Sequence, residues 1–363
     1  MMYSIEGNKI TFDDYYNDSN FVDIIESHNT INHIKIDEIK FGESFNQDIS
    51  FLPNYIKEIE FAQWSDFNHQ IDFLPNSLTH LTIGFHSIFN QRIDNLPNGL
   101  TNLIIGETFN HPLDNLPKGL TDLIFCDTSD FNQPIENLPE GLTYLELGYY
   151  FNKRIDFLPK GLTHLQLGYD FNKQIENLPE GLTHLQLGGC FNQSLDFLPK
   201  GLTHLKLGCD FYKPIDNLPD NLTHLILDCS FDFSQPLENL PKGLTHLKLG
   251  MYLNNPLDNL PEGLLELKIS KLEDIIFNAR IVDSSLLDVS KVSILTTVKI
   301  KNLKNNVEMK YTIVAENEAD LKAGKISIDS PIGKGLLGKK VGDKVDVTVP
   351  AGIIPFQVIE ITI

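Results

Sequence analysis

The chain has 363 residues, 41% of them hydrophobic and 21% charged, with a formal net charge of −20 at pH 7. These proportions are ordinary for a folded chain with a sizeable core, and no run approaches the roughly 18 apolar residues of a membrane-spanning helix. The polar N-terminal residues do not read as a signal peptide. We therefore expect an intracellular protein, and the sequence argues against the secreted and membrane classes.

Residues 1–35 are predicted to cap the N-terminal end of a repeat array. An open terminal repeat would expose strand edges and apolar side chains to water, so arrays of this kind need caps. A short helix is predicted here, with Asp18 or Ser19 as its N-cap. A degenerate repeat at residues 36–41 then leads into the regular copies.

One motif starts eleven times along the chain, in steps of 20 or 22 residues. Each copy, here called a rung, is too short to bury a core by itself, so the copies must stack. Leu185 and Leu187 alternate with polar residues as in a half-buried strand, whereas Pro179 and Gly181 break any helix on the return side. Residues 36–269 are therefore predicted to form a mainly β leucine-rich-repeat solenoid with little helix.

Stacking turns each repeat offset into a column of side chains, with neighbouring rungs about 4.8 Å apart. The residue five positions after the rung start is acidic on ten consecutive rungs. Like charges at this spacing repel by around 1 kcal/mol per pair in water, so their retention implies a compensating gain. Either each carboxylate caps backbone N–H groups in the turn before Leu-Pro, or the column is a docking edge for a basic partner or for cations. This acidic column comprises Asp72, Asp94, Asp114, Glu136, Asp156, Glu176, Asp196, Asp216, Glu238 and Asp258.

A second column lies on the strand face that points away from the core, and it contains five histidines in succession. Three interpretations are open: a stacked polar surface in contact with solvent, a partner-binding face, or a metal site. Parallel imidazoles do not converge as tetrahedral zinc requires, which disfavours the metal site. Solenoids usually bind partners on the inner strand face, and crowded imidazoles would make a complex there sensitive near about pH 6. The predicted partner-binding residues are His164, His184, His204, His224, His246, Gln166, Gln186, Lys206 and Lys248.

The chain changes character near residue 270. Residues 1–270 contain 16 Lys and Arg against 37 Asp and Glu, a net charge of −21. Residues 271–363 contain 13 against 12, a net charge of +1. Two modules of different composition are therefore joined at this point.

The second module begins with a predicted helical capping linker at residues 270–290, whose amphipathic pattern suits packing over the last rung. Five β-rich runs separated by turns follow in residues 291–363. They predict a small α+β domain with an antiparallel sheet and a short helix at 335–337.

The repeat has a specific sequence motif. Each rung reads Phe-Asn, then Ile or Leu, then Leu-Pro, then Gly-Leu-Thr-x-Leu-x-Leu-Gly, as in residues 171–188. This pattern resembles the FNIP-type leucine-rich repeat over residues 36–269. That family is known mostly from social amoebae and large DNA viruses, so the resemblance implies a viral or amoebal protein, cytoplasmic, nuclear or carried in a virus particle. It also implies interaction scaffolding without a catalytic centre.

The second module resembles a different family. Residues 277–283, 311–320 and 325–332 are closely similar to the C-terminal domain of bacterial Gre transcript-cleavage factors. The resemblance implies an FKBP-like fold that docks on RNA polymerase, while in that family a separate N-terminal coiled coil promotes RNA cleavage. The repeat array stands in the place of the coiled coil here, so cleavage activity is not predicted. The alternative is that this domain is a C-terminal cap or an appended folding aid. The implied polymerase-docking residues are Asp329, Ser330, Pro331 and Ile332.

No arrangement typical of an enzyme occurs in the sequence. There is no Ser/His/Asp pattern, no phosphate-binding glycine loop and no zinc spacing, so we predict a non-enzymatic protein without a cofactor or a metal. A net charge of −21 over residues 1–270 would repel nucleic acid from the array. The sequence therefore predicts a protein–protein interaction scaffold that is tethered to RNA polymerase through residues 271–363, and the alternative is a transcription elongation regulator that acts through the Gre-like domain.

Overall fold

The computed structural model describes residues 2–31, 35–228, 237, 239–250, 259–269, 289–315, 318–349 and 352–362. Contacts within the chain divide it into two units, Met1–Phe277 and Asn278–Ile363. The predicted capping linker at 270–290 lies outside the described residues except for its last two positions.

The first unit is built on a sheet of fourteen strands that follow one another in chain order. At its N-terminal end an antiparallel hairpin turns at Gly7, whose φ of 64° favours glycine. One helix, α1 (Phe21–Ile31), follows the hairpin close to the predicted cap residues. The strands are β1 (Tyr3–Glu6), β2 (Lys9–Phe12), β3 (Glu38–Phe41), β4 (Glu58–Phe61), β5 (His80–Thr82), β6 (Asn102–Ile105), β7 (Asp122–Phe125), β8 (Tyr144–Glu146), β9 (His164–Gln166), β10 (His184–Gln186), β11 (His204–Leu207), β12 (His224–Leu227), β13 (His246–Leu249) and β14 (Glu266–Ile269).

From β2 onward every neighbouring pair in this sheet is parallel and in register with the repeat. Leu185 pairs with Leu165 on one side and with Leu205 on the other, and each is 2% exposed. The predicted stacking of equivalent apolar positions is confirmed. The predicted mainly β solenoid with little helix is therefore correct.

Phenylalanines form the second column of the core. The ring that starts each rung lies over its counterpart one rung away, as in the Phe151–Phe171 and Phe171–Phe191 pairs, with centroids 6.2 and 6.1 Å apart. These rings are fully buried. Burial of such a side chain stabilises the fold by roughly 1.5–3 kcal/mol, and because the column is continuous each rung depends on both neighbours.

Close backbone contacts explain the glycine that ends the repeat motif. A Cβ atom on Gly168 would lie 2.1 Å from the carbonyl oxygen of Gly148, and one on Gly188 would lie 2.1 Å from that of Gly168. No side chain fits at such a distance, so the rungs can approach only where this position is glycine.

Two hydrogen-bonded columns join the rungs outside the sheet. The side-chain oxygen of Asn152 accepts a hydrogen bond from the backbone N–H of Asn172 at 3.1 Å. The side-chain oxygen of Asn172 accepts one from the backbone N–H of Asn192 at the same distance. The hydroxyl of Thr183 donates to the carbonyl oxygen of Thr163 at 3.1 Å. Polar groups at the turns are thus satisfied by the next rung.

The second unit has a five-stranded sheet in the order β17-β16-β15-β19-β18. Its elements are β15 (Thr297–Asn302), β16 (Glu308–Val314), a 3₁₀ turn (Leu321–Ala323), β17 (Lys325–Ser327), α2 (Pro331–Leu336), β18 (Lys344–Val349) and β19 (Gly352–Thr362). The small α+β domain was predicted correctly in outline, but β17 pairs with β16 in parallel. The prediction of a wholly antiparallel sheet was wrong at this edge.

Helix α2 begins earlier than the predicted 335–337. The hydroxyl of Ser330 accepts a hydrogen bond from the N–H of Gly333 at 3.0 Å, which is the usual N-cap contact. Pro331 occupies the first turn, where its missing N–H costs nothing. The Asp-Ser-Pro segment therefore starts a helix rather than making an isolated turn.

Candidate functional site

The five histidines predicted as a column stand on the outward face of β9 to β13. Parallel pairing in register places each at the start of its strand, opposite the next. The four ring-to-ring centroid distances are 4.0–4.1 Å and the interplanar angles are 7–15°. The imidazoles therefore form one continuous stack, and Tyr144 extends it by one ring, with its centroid 5.7 Å from that of His164.

The threonine before each histidine determines which ring nitrogen carries the proton. The Thr203 hydroxyl donates its one hydrogen to the carbonyl oxygen of Thr183 at 3.0 Å. Its oxygen also lies 2.9 Å from Nδ1 of His204, and with the hydroxyl hydrogen given to the carbonyl we assign the hydrogen of the neutral ring to Nδ1. The same pair of contacts recurs on all five rungs. In the neutral state Nε2 is consequently an acceptor on every ring of the stack.

Stacking disfavours protonation of the central rings. Burial lowers the pKa values of His184, His204 and His224, and the positive charge of neighbouring imidazoles lowers them further. The pKa of His204, at the centre of the stack, falls to about 4. These three rings are therefore neutral at pH 7.

A groove of about 430 Å³ runs along this surface, lined by the histidines and by the next outward column of side chains. We call this surface the imidazole face, and it includes all nine predicted partner-binding residues. At its β8 end Glu146 accepts hydrogen bonds from Tyr144 and Gln166, at 3.2 and 2.8 Å. At its β14 end Glu266 forms an ion pair with Lys268 at 2.5 Å and lies 3.6 Å from His246.

The acidic column makes different contacts from those expected of a backbone cap. Asp72, Asp114, Asp196 and Asp216 accept hydrogen bonds from side-chain amides of the following rung, at 2.9–3.3 Å. Those amides belong to Asn95, Asn137, Asn217 and Asn239. None of the column's carboxylates within the described residues accepts a backbone N–H. Glu238 and Asp258 lie outside those residues.

The other described members of the acidic column fall into two pairs. Asp94 and Asp156 each hold an arginine of their own rung, Arg92 and Arg154, at 2.5 and 2.6 Å. Glu136 and Glu176 have no hydrogen bond or ion pair in the described part of the chain, and the next rung carries an exposed phenylalanine in place of asparagine. Those rings are Phe157 and Phe197, 67% and 55% exposed. Most of the acidic column is thus explained by contacts between side chains of the array.

The repeats and the geometry agree with a known family. A family model described as FNIP Repeat matches residues 51–86, 89–127, 131–170, 154–190, 171–210, 191–230 and 233–272, which together cover more than half of the chain. The chain belongs to the FNIP-repeat family. A solved structure described as CroV588, a novel circular LRR protein, is 33% identical to this FNIP-repeat protein. The match covers 74% of this chain and 51% of that one, with a TM-score of 0.52.

The second unit of this FNIP-repeat protein has different relatives. Residues 287–363 match the model described as transcription elongation factor, GreA/GreB, C-term. GreA of Flavobacterium johnsoniae is 62% identical over 98 residues, and GreA of Amoebophilus asiaticus is 54% identical over 98 residues. Each match takes in 27% of this chain, which spans 62% of the length of either relative.

The predicted polymerase-docking residues lie at the start of α2. Ser330 is the N-cap, and its hydroxyl donates to the carbonyl oxygen of Ser327 at 2.6 Å. Asp329 is exposed and lies 3.3 Å from Nζ of Lys334. Pro331 is exposed, while Ile332 packs against the core of the unit. The four residues form one small surface whose conformation is held by the cap.

The sequence analysis missed the threonines that contact the imidazoles, whereas Tyr144 and Lys268, which complete the face, belong to the same two outward columns of the sequence pattern. A signal was present, because the dipeptide Thr-His recurs on six rungs of the array, five of them in the stack. Among the described residues, no group of three or more His, Cys, Asp or Glu is arranged to hold a metal ion. No helix in the described ranges combines the length and apolar composition needed to cross a bilayer.

Proposed function

We propose that this protein is a non-enzymatic interaction scaffold whose imidazole face binds a protein partner. The observation that carries the proposal is the groove of about 430 Å³ on a sheet face that no other described part of the first unit covers. The core lies entirely on the opposite side of the strands, so the outward residues of β9 to β13 contribute little to folding. Side chains free of a folding role can be retained for binding.

The second half of the proposal is a tether. The Gre-like unit docks the array on RNA polymerase inside the cell, through the surface of Asp329, Ser330, Pro331 and Ile332. The 62% identity to GreA of Flavobacterium johnsoniae supports it. The match is confined to the C-terminal part of GreA, so docking is the part of the relatives' role that we extend to this chain.

Substitutions in the full chain test both halves. We expect His184→Ala with His204→Ala to abolish binding of array partners and to leave polymerase capture intact. Asp329→Ala with Pro331→Ala should do the reverse. RNA polymerase from Flavobacterium johnsoniae is a suitable probe, and circular dichroism checks that each variant keeps the secondary structure of the native chain. Retention of every array partner by the histidine variant would refute the scaffold.

The 62% identity also favours a second function, in which the chain regulates elongation through its Gre-like unit. This alternative predicts that the full chain changes pausing or arrest by a transcribing polymerase. A scaffold that only docks would leave the elongation rate unchanged at saturating concentration. An effect that survives substitution of the histidines and disappears with Pro331→Ala would favour the regulator.

A further inference from the structure

Resting on the proposed function, we infer that the partner of the imidazole face is an acidic, extended peptide segment, and that its binding takes up protons. The inference concerns the chemistry of the occupant and is carried by three features of the face. They are its charge, the spacing of its lysines and the orientation of its ring nitrogens.

The charge of the face is opposite to that of the array around it. Residues 1–270 have a net charge of −21, from 16 Lys and Arg against 37 Asp and Glu. On the outward positions of β9 to β13, however, the charged residues are Lys206 and Lys248, and there is no carboxylate. Neither lysine forms an ion pair within the described residues. The face is therefore a local cationic surface that favours an anionic partner.

The lysine spacing matches an extended peptide. Lys206 on β11 and Lys248 on β13 are two rungs apart, because each pairs with Ile226 on β12. Two strand separations amount to about 10 Å. A polyproline II segment repeats every three residues and advances about 3.1 Å per residue, so carboxylates three positions apart lie about 9 Å apart on one side. A segment with Asp or Glu at every third position can thus place successive carboxylates on these lysines.

The ring nitrogens add a chemical switch. Nδ1–H of each histidine is held by its threonine, as for His184 at 2.9 Å, so an added proton must go to Nε2. Protonation converts Nε2 from an acceptor into a charged donor without breaking the threonine bond. A carboxylate placed beside Nε2 stabilises that proton. An acidic partner therefore binds together with protons, whereas a basic partner would expel them.

Among the described residues, lysines flank the stack along its length and one carboxylate lies at each end of it. Lys206 and Lys248 flank it along its length, and an anion bound to them would bring negative charge beside the rings. At the β14 end Glu266 is shared with Lys268, and at the β8 end Glu146 is engaged by Tyr144 and Gln166. No unshared carboxylate of these described strands competes with the partner's.

The test measures binding of fluorescent twelve-residue peptides to the full chain by anisotropy. One peptide carries Glu at every third position in a proline-rich background, and two otherwise identical peptides carry Gln or Lys there. We expect the Glu peptide alone to bind, and to bind about tenfold more tightly for each proton taken up when the pH falls by one unit. Calorimetry in two buffers of different ionisation enthalpy counts those protons.

Matched variants separate the face from net charge. Lys206→Gln with Lys248→Gln should lower the affinity for the Glu peptide at least tenfold. Lys160→Gln with Lys200→Gln, which makes the same charge change at exposed positions after the repeat proline, should leave its affinity unchanged. His184→Gln with His204→Gln should remove the pH dependence.

Four outcomes would overturn the inference. They are equal binding of the Gln peptide, preference for the Lys peptide, release of protons on binding, and tighter binding of a single-stranded oligonucleotide than of the Glu peptide. The proposed scaffold function can be tested independently of this inference. A protein partner that the His184→Ala, His204→Ala variant loses, but that the Glu peptide cannot displace, would refute the acidic segment and keep the scaffold.

Discussion

Replacement of Thr203 by Val tests the chemistry of the imidazole stack. The substitution keeps the β-branched shape and removes the hydroxyl, which makes two hydrogen bonds, to the carbonyl of Thr183 at 3.0 Å and with His204 at 2.9 Å. Each is worth about 1 kcal/mol of net stability. We expect a loss of about 2 kcal/mol in the free energy of unfolding, measured by urea denaturation.

The chain provides a matched control in Thr143. Its hydroxyl makes the same bond to the preceding rung, to the carbonyl of Thr121 at 3.2 Å, but the next residue is Tyr144, whose hydroxyl binds Glu146 instead. Thr143→Val should therefore cost only about 1 kcal/mol. The difference between the two variants isolates the threonine–histidine bond.

Nitrogen-15 NMR of the histidine rings gives the second measurement. In the native chain we expect the Nδ1–H tautomer of His204 to dominate at pH 7, and Thr203→Val should return it to the mixture typical of exposed histidine. Equal destabilisation by the two valine variants, or an unchanged tautomer in Thr203→Val, would refute the assignment of the proton to Nδ1.

Three further predictions concern the array. Leu185→Ala should lower the free energy of unfolding by about 2–5 kcal/mol, because the native side chain is only 2% exposed and its removal leaves a cavity in the core. A loss below about 1 kcal/mol in chemical denaturation would contradict the continuous core. Gly168→Ala should cost at least as much, since the new Cβ would lie 2.1 Å from a carbonyl oxygen of the preceding rung, while Gly181→Ala, whose Cβ would lie 3.7 Å from its nearest neighbour, is the control. The lowered pKa of His204, about 4 against an ordinary 6.5, means that the unfolded chain binds protons first as the pH falls. Stability should therefore be fully present above about pH 7.5 and decline from 6.5 towards 4, and replacement of His204 by Gln should flatten that part of a melting-temperature profile.

The strand positions, the buried columns and the register could be read from the repeat. A period of 20 or 22 residues allows one stacking solution, in which Leu165, Leu185 and Leu205 meet, since any slip would place polar residues in the core. Alternation of apolar and polar residues also predicted which face of β10 points outward. These features depend on local pattern and repetition, which a sequence displays directly.

The acidic column shows where pattern reading fails. One of the two interpretations of the sequence placed its carboxylates on backbone N–H groups of their own turn, and four of them instead bind asparagines of the following rung, 21 or 23 residues later in the chain. These four carboxylates belong to Asp, and each accepts from the asparagine of the following rung. After Glu136 and Glu176 the equivalent position of the following rung is phenylalanine, which offers no amide. A choice between a near and a distant partner depends on angstrom-scale separations that the order of residues does not contain.

The sequence by itself determined that equivalent residues stack, because only repeated burial can stabilise rungs too short to fold alone. It therefore determined that five histidines form a column and that a Gre-like unit of different charge follows. Only the tertiary structure decided what those histidines can do. The threonine hydroxyl has a single hydrogen, and its commitment to the carbonyl of the preceding rung, at 3.1 Å for Thr183, leaves Nε2 of each imidazole as the nitrogen that can receive a proton.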